Sequence, residues 1–538
     1  MQRVLVFLSI LLIPILIAVL IVKNYGNSGE LVKNEVFVKS KMDKKAIYHF
    51  KLEELQKQFE SGPEVTKACL SCHTERGKEL LHTSHWLWQR EEEIEGKGIV
   101  PIGKRNILNN FCIGTRASEA TCTRCHIGYG WENKDFDFSN PENIDCLVCH
   151  DNTGTYKKES GVGGQAKTSV DLTFVARNVG LPTKENCGVC HFWGGGGNNV
   201  KHGDLEIALL DCTEDVDVHM AKHGLDMTCT DCHVTENHQM AGKLYALSSE
   251  NKSRATCAQC HTKEPHADKI LNEHNLRVAC QTCHIPQYAK VNSTKMIWDW
   301  STAGILDDQG EPMHWNDADG NHKYMGIKGT FIWDDHVIPE YYWFNGIADH
   351  QLIEDKIKDI PVQMNTLSGS YCDKGKKKKS AECSKIWPVK VHRGKQIYDT
   401  KNMTLIQPKL WDKEKGKGAY WKDFDWQIAS QKGMEYIGQA YSGEYGFVET
   451  EMYWPLSHMV SPKEESLKCK DCHIRNNGRL ESLSGFYMPG RDRILGLDII
   501  GILLIIFSFI GVSIHLICRI SMKKNCVVDQ LIKGEINK

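Results

Sequence analysis

Eight copies of Cys-x-x-Cys-His, an apolar run near each end and a tryptophan-rich stretch without motifs predict a multihaem cytochrome c. The expected fold is mainly α with much irregular loop, built around eight covalently bound haems, with one N-terminal and one C-terminal transmembrane helix. Two thioether bonds from each motif attach a haem, and its histidine is offered to the iron. The motifs are Cys69/Cys72/His73, Cys122/Cys125/His126, Cys146/Cys149/His150, Cys187/Cys190/His191, Cys229/Cys232/His233, Cys257/Cys260/His261, Cys280/Cys283/His284 and Cys469/Cys472/His473. A zinc ribbon would show matched pairs of CxxC without an obligate trailing histidine.

The ends set the topology. Val4 to Val22 is apolar or small throughout and is followed by no A-x-A-like cleavage site, so residues 1–23 read as an uncleaved signal anchor. Residues 24–62 are a polar linker with a helix expected around Lys44 to Phe59. Residues 494–517 form the second span, interrupted by one acid, Asp498, and 518–538 a tail whose Arg519, Lys523 and Lys524 favour the cytoplasm. The haem domain, 63–490, then lies on the outer, periplasmic face of the cytoplasmic membrane, where haem attachment takes place. His515 has no partner histidine in either span and reads as an interfacial residue. A formal net charge of −2 gives no electrostatic case for a nucleic-acid partner.

Between the spans the haems are expected to serve as the core. Each motif should sit on a short helix, with glycines such as 161–164 and 194–197 letting backbone approach a porphyrin. No motif occurs from Ile285 to Lys468, yet this stretch holds ten of the 14 tryptophans, including Trp298, Trp300, Trp333, Trp411, Trp426 and Trp454. It reads as a layer wrapping the haems, with helices near 421–440 and just before Cys469.

Each iron has a second axial position, which electron-transfer haems fill with His or Met and catalytic haems leave open or weakly filled. Outside the motifs the candidates are His85, His202, His219, His238, His266, His274, His392 and His458, enough for a mostly bis-histidine wire. Six cysteines attach no haem: Cys112, Cys212, Cys372, Cys383, Cys518 and Cys526. Cys372 and Cys383 flank a lysine-rich run that a disulfide would close in an oxidising compartment. Cys112 stands ten residues before the second motif, and a bridge to Cys212 is one possible fate. Lys201, beside His202, would have to lose a proton to bind iron, against a reference pKa of about 10.4.

At NNFCI, CTRCHIGYGW, NIDCLVCHDNTGTY, CHFWGGGGNNVKHGDL, ACQTCHIP, YSGEYGFVETEMYWPLSHMV and GFYMPGRD the chain resembles the octahaem tetrathionate reductase family, from Cys69 to Arg493. The resemblance implies a periplasmic reductase with seven bis-histidine haems and one carrying a lysine at its iron with a cysteine sulfur nearby. By motif, the distinct haem is on Cys122, Cys125 and His126, the cysteine is Cys112 and the lysine is Lys201, with Lys157 and Lys158 as alternatives. The implied substrate is a small inorganic anion: tetrathionate, with nitrite and hydroxylamine as further possibilities. Arg116 and Arg124 would help attract it. The implied electron donor is membrane-bound, quinol-linked or another cytochrome. The N-terminal anchor and the KGKKKK insertion depart from the family's pattern. The rival readings are an electron conduit with no substrate, and an octahaem nitrite or hydroxylamine oxidoreductase.

Overall fold

The computed structural model describes residues 48–94, 97–242, 254–369 and 384–535. The expected N-terminal span, most of the linker, Cys372 and Cys383 lie outside them, as does the side chain of Cys526. The chain divides into two compact units, Met1–Leu467 and Lys468–Lys538.

Each of the eight motifs starts on or beside a short helical turn. Gly62–Cys72, Glu119–Cys122, Leu147–His150, Lys184–His191, Cys229–Cys232, the 3-10 turn Cys257–Gln259, Cys280–His284 and Cys469–Cys472 carry them. A helical turn sets cysteines three residues apart on one face, as attachment requires. Capping boxes start several: Thr183 with Asn186, Thr228 with Asp231 and Thr256 with Gln259.

One second cysteine departs from the expectation that each motif sits on a short helix. Cys260 lies past the end of its 3-10 turn, at φ −121° and ψ −37°, and is exposed. The turn closes early because the amides of Cys260 and His261 both donate to the Cys257 carbonyl, at 3.2 and 2.9 Å. Cys283 is on its helix and half-buried, but its carbonyl accepts from the distant Leu467 amide at 2.9 Å. That carbonyl belongs to the last turn, which has no partner within the helix, so the chain just before the eighth motif satisfies it.

The expectation of a mainly α fold is also corrected: the chain is 28% helix and 19% strand. The motif-free stretch is mostly a β-sheet. Nine strands run in the order Val362–Gln363, Tyr445–Pro455, Lys385–Asp399, Thr294–Asp299, Gly329–Asp334, His322–Met325 and His314–Asn316, with Glu340–Phe344 and Thr404–Leu405 also paired to Lys385–Asp399. Runs such as TKMIWD, GTFIWD, EYYWF and YGFVETEMYWP are aromatic and β-branched, which suits a pleated, half-buried surface.

This sheet has its own hydrophobic core rather than serving only as a cover. Trp298 stacks on Trp300 at 4.9 Å and Trp426 on Tyr420 at 3.6 Å, within a buried cluster that also holds Trp454, Phe331, Ile397 and Met434. Helices do form at Tyr420–Asp423 and Trp426–Tyr436, but none precedes Cys469. The helix expected at Lys44 to Phe59 is, where described, two 3-10 turns, His49–Lys51 and Glu53–Leu55.

The strand Lys385–Asp399 positions the site. Val389, Val391 and Ile397 bury their side chains on one face, and Lys390, His392 and Gln396 on the other. Gly394 lies on the polar face, where a Cβ would come within 3.1 Å of the Trp298 carbonyl and 3.2 Å of the Asn110 Oδ1. The absent side chain lets the segment before the second motif lie against the sheet.

In the second unit the helix Leu495–Glu535 extends beyond the expected span, its apolar part being Leu495–Met522 with mean hydropathy 2.6. Asp498, the acid in that run, is paired with Arg493 at 3.2 Å.

Candidate functional site

Five motif histidines face a second histidine across a constant gap. Ring centroids are 6.3 Å apart for His73 and His49, 6.2 Å for His191 and His85, 6.1 Å for His261 and His219, 6.3 Å for His233 and His458, and 6.2 Å for His284 and His266. A metal–imidazole bond is about 2.0 Å, so two rings bonded to one metal have centroids about 6.3 Å apart once each ring's own radius is added. These residues therefore fit bis-histidine haem iron. The pairs include His261 and His284, so the irregular placement of Cys260 and the long-range tie at Cys283 leave the histidines of those two motifs correctly set. Backbone carbonyls orient other rings: the Nδ1 atoms of His150, His233 and His473 lie 2.8, 2.9 and 2.8 Å from the carbonyls of Gly180, Ala241 and Pro489. A ring that donates there keeps Nε2 for a metal.

Of the candidates read from the sequence, His85, His219, His266 and His458 are thus paired. His238 is held by Glu79 at 2.8 Å; burial first, with His238 a lesser contributor, disfavours protonation of His73 and His150. The Nδ1 of His274 lies 2.7 Å from the Ile270 carbonyl. His202 packs on Trp454 at 5.0 Å, and His392 is fully buried with neither ring nitrogen hydrogen-bonded. His49, absent from those candidates, completes the first pair; its only signal is being a histidine upstream of the first motif.

The second motif differs from the rest. His126 is fully buried, ringed by Trp131 at 4.8 Å, Trp86 at 5.1 Å, Trp88 at 5.4 Å, Phe136 at 5.8 Å and Phe138 at 6.0 Å. Its Nε2, the atom expected to meet iron, lies 2.5 Å from the Trp86 carbonyl. Burial above all pulls its pKa down to about 3, so the ring is neutral. Lys158 stands against the same turn: its Nζ donates to the carbonyls of His126 at 2.6 Å and Gly128 at 2.9 Å, and is 3.0 Å from Asp145. Lys157 is exposed.

Cys112 is half-buried and unbridged, as is the buried Cys212. The Cys112 amide donates to Asn109 Oδ1 at 2.8 Å, and Gln396 donates to the carbonyls of Asn109 and Cys112 at 3.2 and 3.0 Å. Asn110, fully buried, donates to the carbonyls of His392 at 2.7 Å and Thr450 at 3.2 Å and accepts from the Thr450 hydroxyl at 2.6 Å. The polar face of the long strand thus fixes the segment that carries the cysteine.

Four lysines stand around this segment, and none forms an ion pair with a carboxylate among the described residues. Lys201 lies 5.0 Å from the Phe111 ring and 4.9 Å from Trp454; burial, with Lys104 adding, pulls its pKa to about 7. Lys295 is buried against Phe331 at 3.7 Å and Trp298 at 3.9 Å, its pKa pushed well down by burial and by Lys328, with Cys112 opposing. Lys328 lies over Trp421 at 5.5 Å and Lys104 over Trp88 at 4.2 Å. Cys112, Lys104 and Lys328 all lie close enough to Cys122 to act on it electrostatically. One neighbourhood therefore holds Cys112, the second motif, Lys104 and Lys328 without carboxylate partners among the described residues, and two buried lysines whose charge burial disfavours, a setting for an anion. Arg124, within the second motif, is exposed.

A family model described as "Cytochrome c bacterial" matches residues 295–476, which span most of the sheet and the eighth motif. The crystal structure of octahaem cytochrome c from Shewanella oneidensis is similar with a TM-score of 0.72 and 42% identity, covering 80% of this chain and 94% of that one. An uncharacterised protein of Archaeoglobus fulgidus is 27% identical over 33% of this chain and 75% of its own length.

Proposed function

The chain belongs to the multihaem c-type cytochromes, and on that premise we propose that it reduces a small inorganic anion at the haem of its second motif. Tetrathionate is the first candidate, with nitrite and hydroxylamine as further substrates. The observation that carries this reading is Cys112, set among four lysines without carboxylate partners beside Cys122. A conduit would need the histidine pairs but no such charged centre.

The haems, eight by the motif count, would supply electrons one at a time. The chain's own residues do the rest. Lys104 and Lys328 draw in a dianion and stabilise negative charge as it moves to the leaving group. The Cys112 thiolate attacks a central sulfur of tetrathionate, breaking the central S–S bond, forming an S-cysteinyl thiosulfate (Cys–S–S–SO3−) and releasing one thiosulfate. Two electrons then break the new S–S bond, releasing the second thiosulfate and restoring the thiolate. No proton is consumed.

Because His126 turns its Nε2 to the Trp86 carbonyl, an amine is the better candidate for that haem's iron. Lys201, beside Phe111 on the Cys112 side, keeps that role: burial favours its neutral amine and no carboxylate pairs with it among the described residues, whereas the Lys158 ammonium is engaged by two carbonyls and Asp145. The paired histidines support electron transfer by the other haems. The apolar helix Leu495–Met522 supports a membrane anchor and a membrane-bound electron donor, quinol-linked or cytochrome.

The test is reoxidation of the reduced full-length protein by tetrathionate, nitrite and hydroxylamine in turn. Cys112→Ala should lower tetrathionate turnover at least tenfold with all haems still attached. No reoxidation by any of the three would leave the conduit as the correct reading.

A further inference from the structure

The loop between Cys112 and Cys122 has a second face. There a cavity of about 400 Å³ is lined by Arg105, Arg116, Glu119, Trp131, Lys134 and Tyr436, among others. None of the three cations forms an ion pair among the described residues. Arg116 donates one bond, from Nη2 to the Asn106 carbonyl at 3.1 Å. The Arg105 guanidinium lies over Phe138 at 4.1 Å and near Trp131 at 5.9 Å, a stacking that fixes its plane. The one carboxyl on this wall, Glu119, is 4% exposed and accepts from the Tyr436 hydroxyl at 2.9 Å, while that hydroxyl accepts from the Lys134 amide at 2.7 Å.

Three cations thus meet a lining carboxyl already hydrogen-bonded to a neutral partner, with Glu354 acting on Arg116 from beyond ion-pair distance and Arg105 and Arg116 repelling each other. Two guanidiniums side by side repel, and a protein tolerates that where an anion comes between them. The arginine fork matches a planar or tetrahedral oxyanion through paired N–H donors, whereas a lone lysine supplies only a point charge. The position also matters: Arg116 and Glu119 belong to the segment joining Cys112 to the second motif, and the Trp131 ring lies 4.8 Å from that of His126.

We infer that this cavity is a second oxyanion site, holding a sulfur or nitrogen oxyanion between Arg105 and Arg116 on its way to or from the Cys112 centre. Only the direction of traffic rests on the proposed reduction; binding requires no turnover. The ligand class is a small oxyanion of one or two negative charges, thiosulfate being the product form and sulfate an inert analogue.

The experiment uses the oxidised, haem-loaded full chain. Crystals soaked in selenate should give an anomalous peak bridging Arg105 and Arg116, and the absence of a peak there overturns the inference. By calorimetry with thiosulfate, Arg105→Gln/Arg116→Gln should weaken binding at least tenfold and Arg116→Lys by an intermediate factor, while a change at the exposed Arg475, Arg475→Gln, leaves it unchanged. Equal affinity in the double variant, with its haem spectrum intact, also overturns it. If selenate binds here but none of the three substrates reoxidises the protein, the proposed reduction fails and the cavity's role as an oxyanion site stands.

Discussion

Asn110→Ala isolates the tie between the sheet and the cysteine segment. Asn110 is fully buried and makes three hydrogen bonds, two to the carbonyls of His392 and Thr450 and one from the Thr450 hydroxyl. A net contribution of about 1 kcal/mol per bond makes the tie worth about 3 kcal/mol. At 1.4 kcal/mol per tenfold, local opening of the segment becomes about 100-fold more frequent. The reporter is the Cys112 amide, whose acceptor, Asn109 Oδ1, belongs to the same turn. Hydrogen exchange of a peptide spanning 107–115 should therefore accelerate about 100-fold, with exchange around Lys184–His191 unchanged. Tetrathionate turnover should fall with it, because Cys112 would be properly placed only part of the time, while the haem absorption spectrum stays intact. Exchange within threefold of the parent protein would refute the claim that the sheet positions Cys112.

Lys201→Met should change the spin state of one haem, seen by electron paramagnetic resonance, whereas Lys158→Met leaves the spin states unchanged; the opposite pattern would move the ligand role to Lys158. Burial lowers the Lys201 pKa to about 7, so its positive charge is present below that pH and lost above it. Ligation of iron by the neutral amine should accordingly weaken as the pH falls below about 7, read as the same spin-state change between pH 8 and 6; an unchanged signal across that range would refute it. The same depression means that charging Lys201 opposes folding: the penalty is absent above the unfolded pKa, near 10.5, grows as pH falls towards 7 and is constant below. His49→Ala should open one position on the first-motif haem and give a carbon monoxide adduct on reduction; no adduct would break the His49–His73 pair.

The sequence showed most clearly what attachment chemistry dictates. Each CxxCH must bring two sulfurs and a histidine to one ring edge, and the local turn that does so is encoded within a few residues. Even there the reading had limits: nothing in CAQCH says that its turn stops before Cys260, and nothing in CQTCH says that Cys283 is tied to Leu467. The axial partners are long-range and carry no spacing rule. His85 and His458 were among many possible histidines, and His49 lay in a stretch read as a stalk. The sheet was missed for another reason. In KIWPVKVHRGKQIYD the inward positions alternate between apolar on one side and Lys390, His392 and Gln396 on the other, so neither face looks like solvent and the usual half-polar strand pattern is hidden. The same concealment kept Lys295 and Lys328 from standing out, since a lysine reads as surface until aromatic rings are seen around it. Cys112 was visible by subtraction alone, because every other cysteine near it belonged to a motif.

The boundary at Lys468 has a practical consequence for anyone shortening this chain. The eighth motif and the apolar helix fall in one unit, Lys468–Lys538, so a cut made at the natural seam removes a haem along with the helix. A truncation meant to keep the full complement has to come after Arg493, inside the smaller unit, and must spare the Gly490 turn, whose backbone runs against His473. Haem stoichiometry by pyridine haemochrome would tell the two truncations apart.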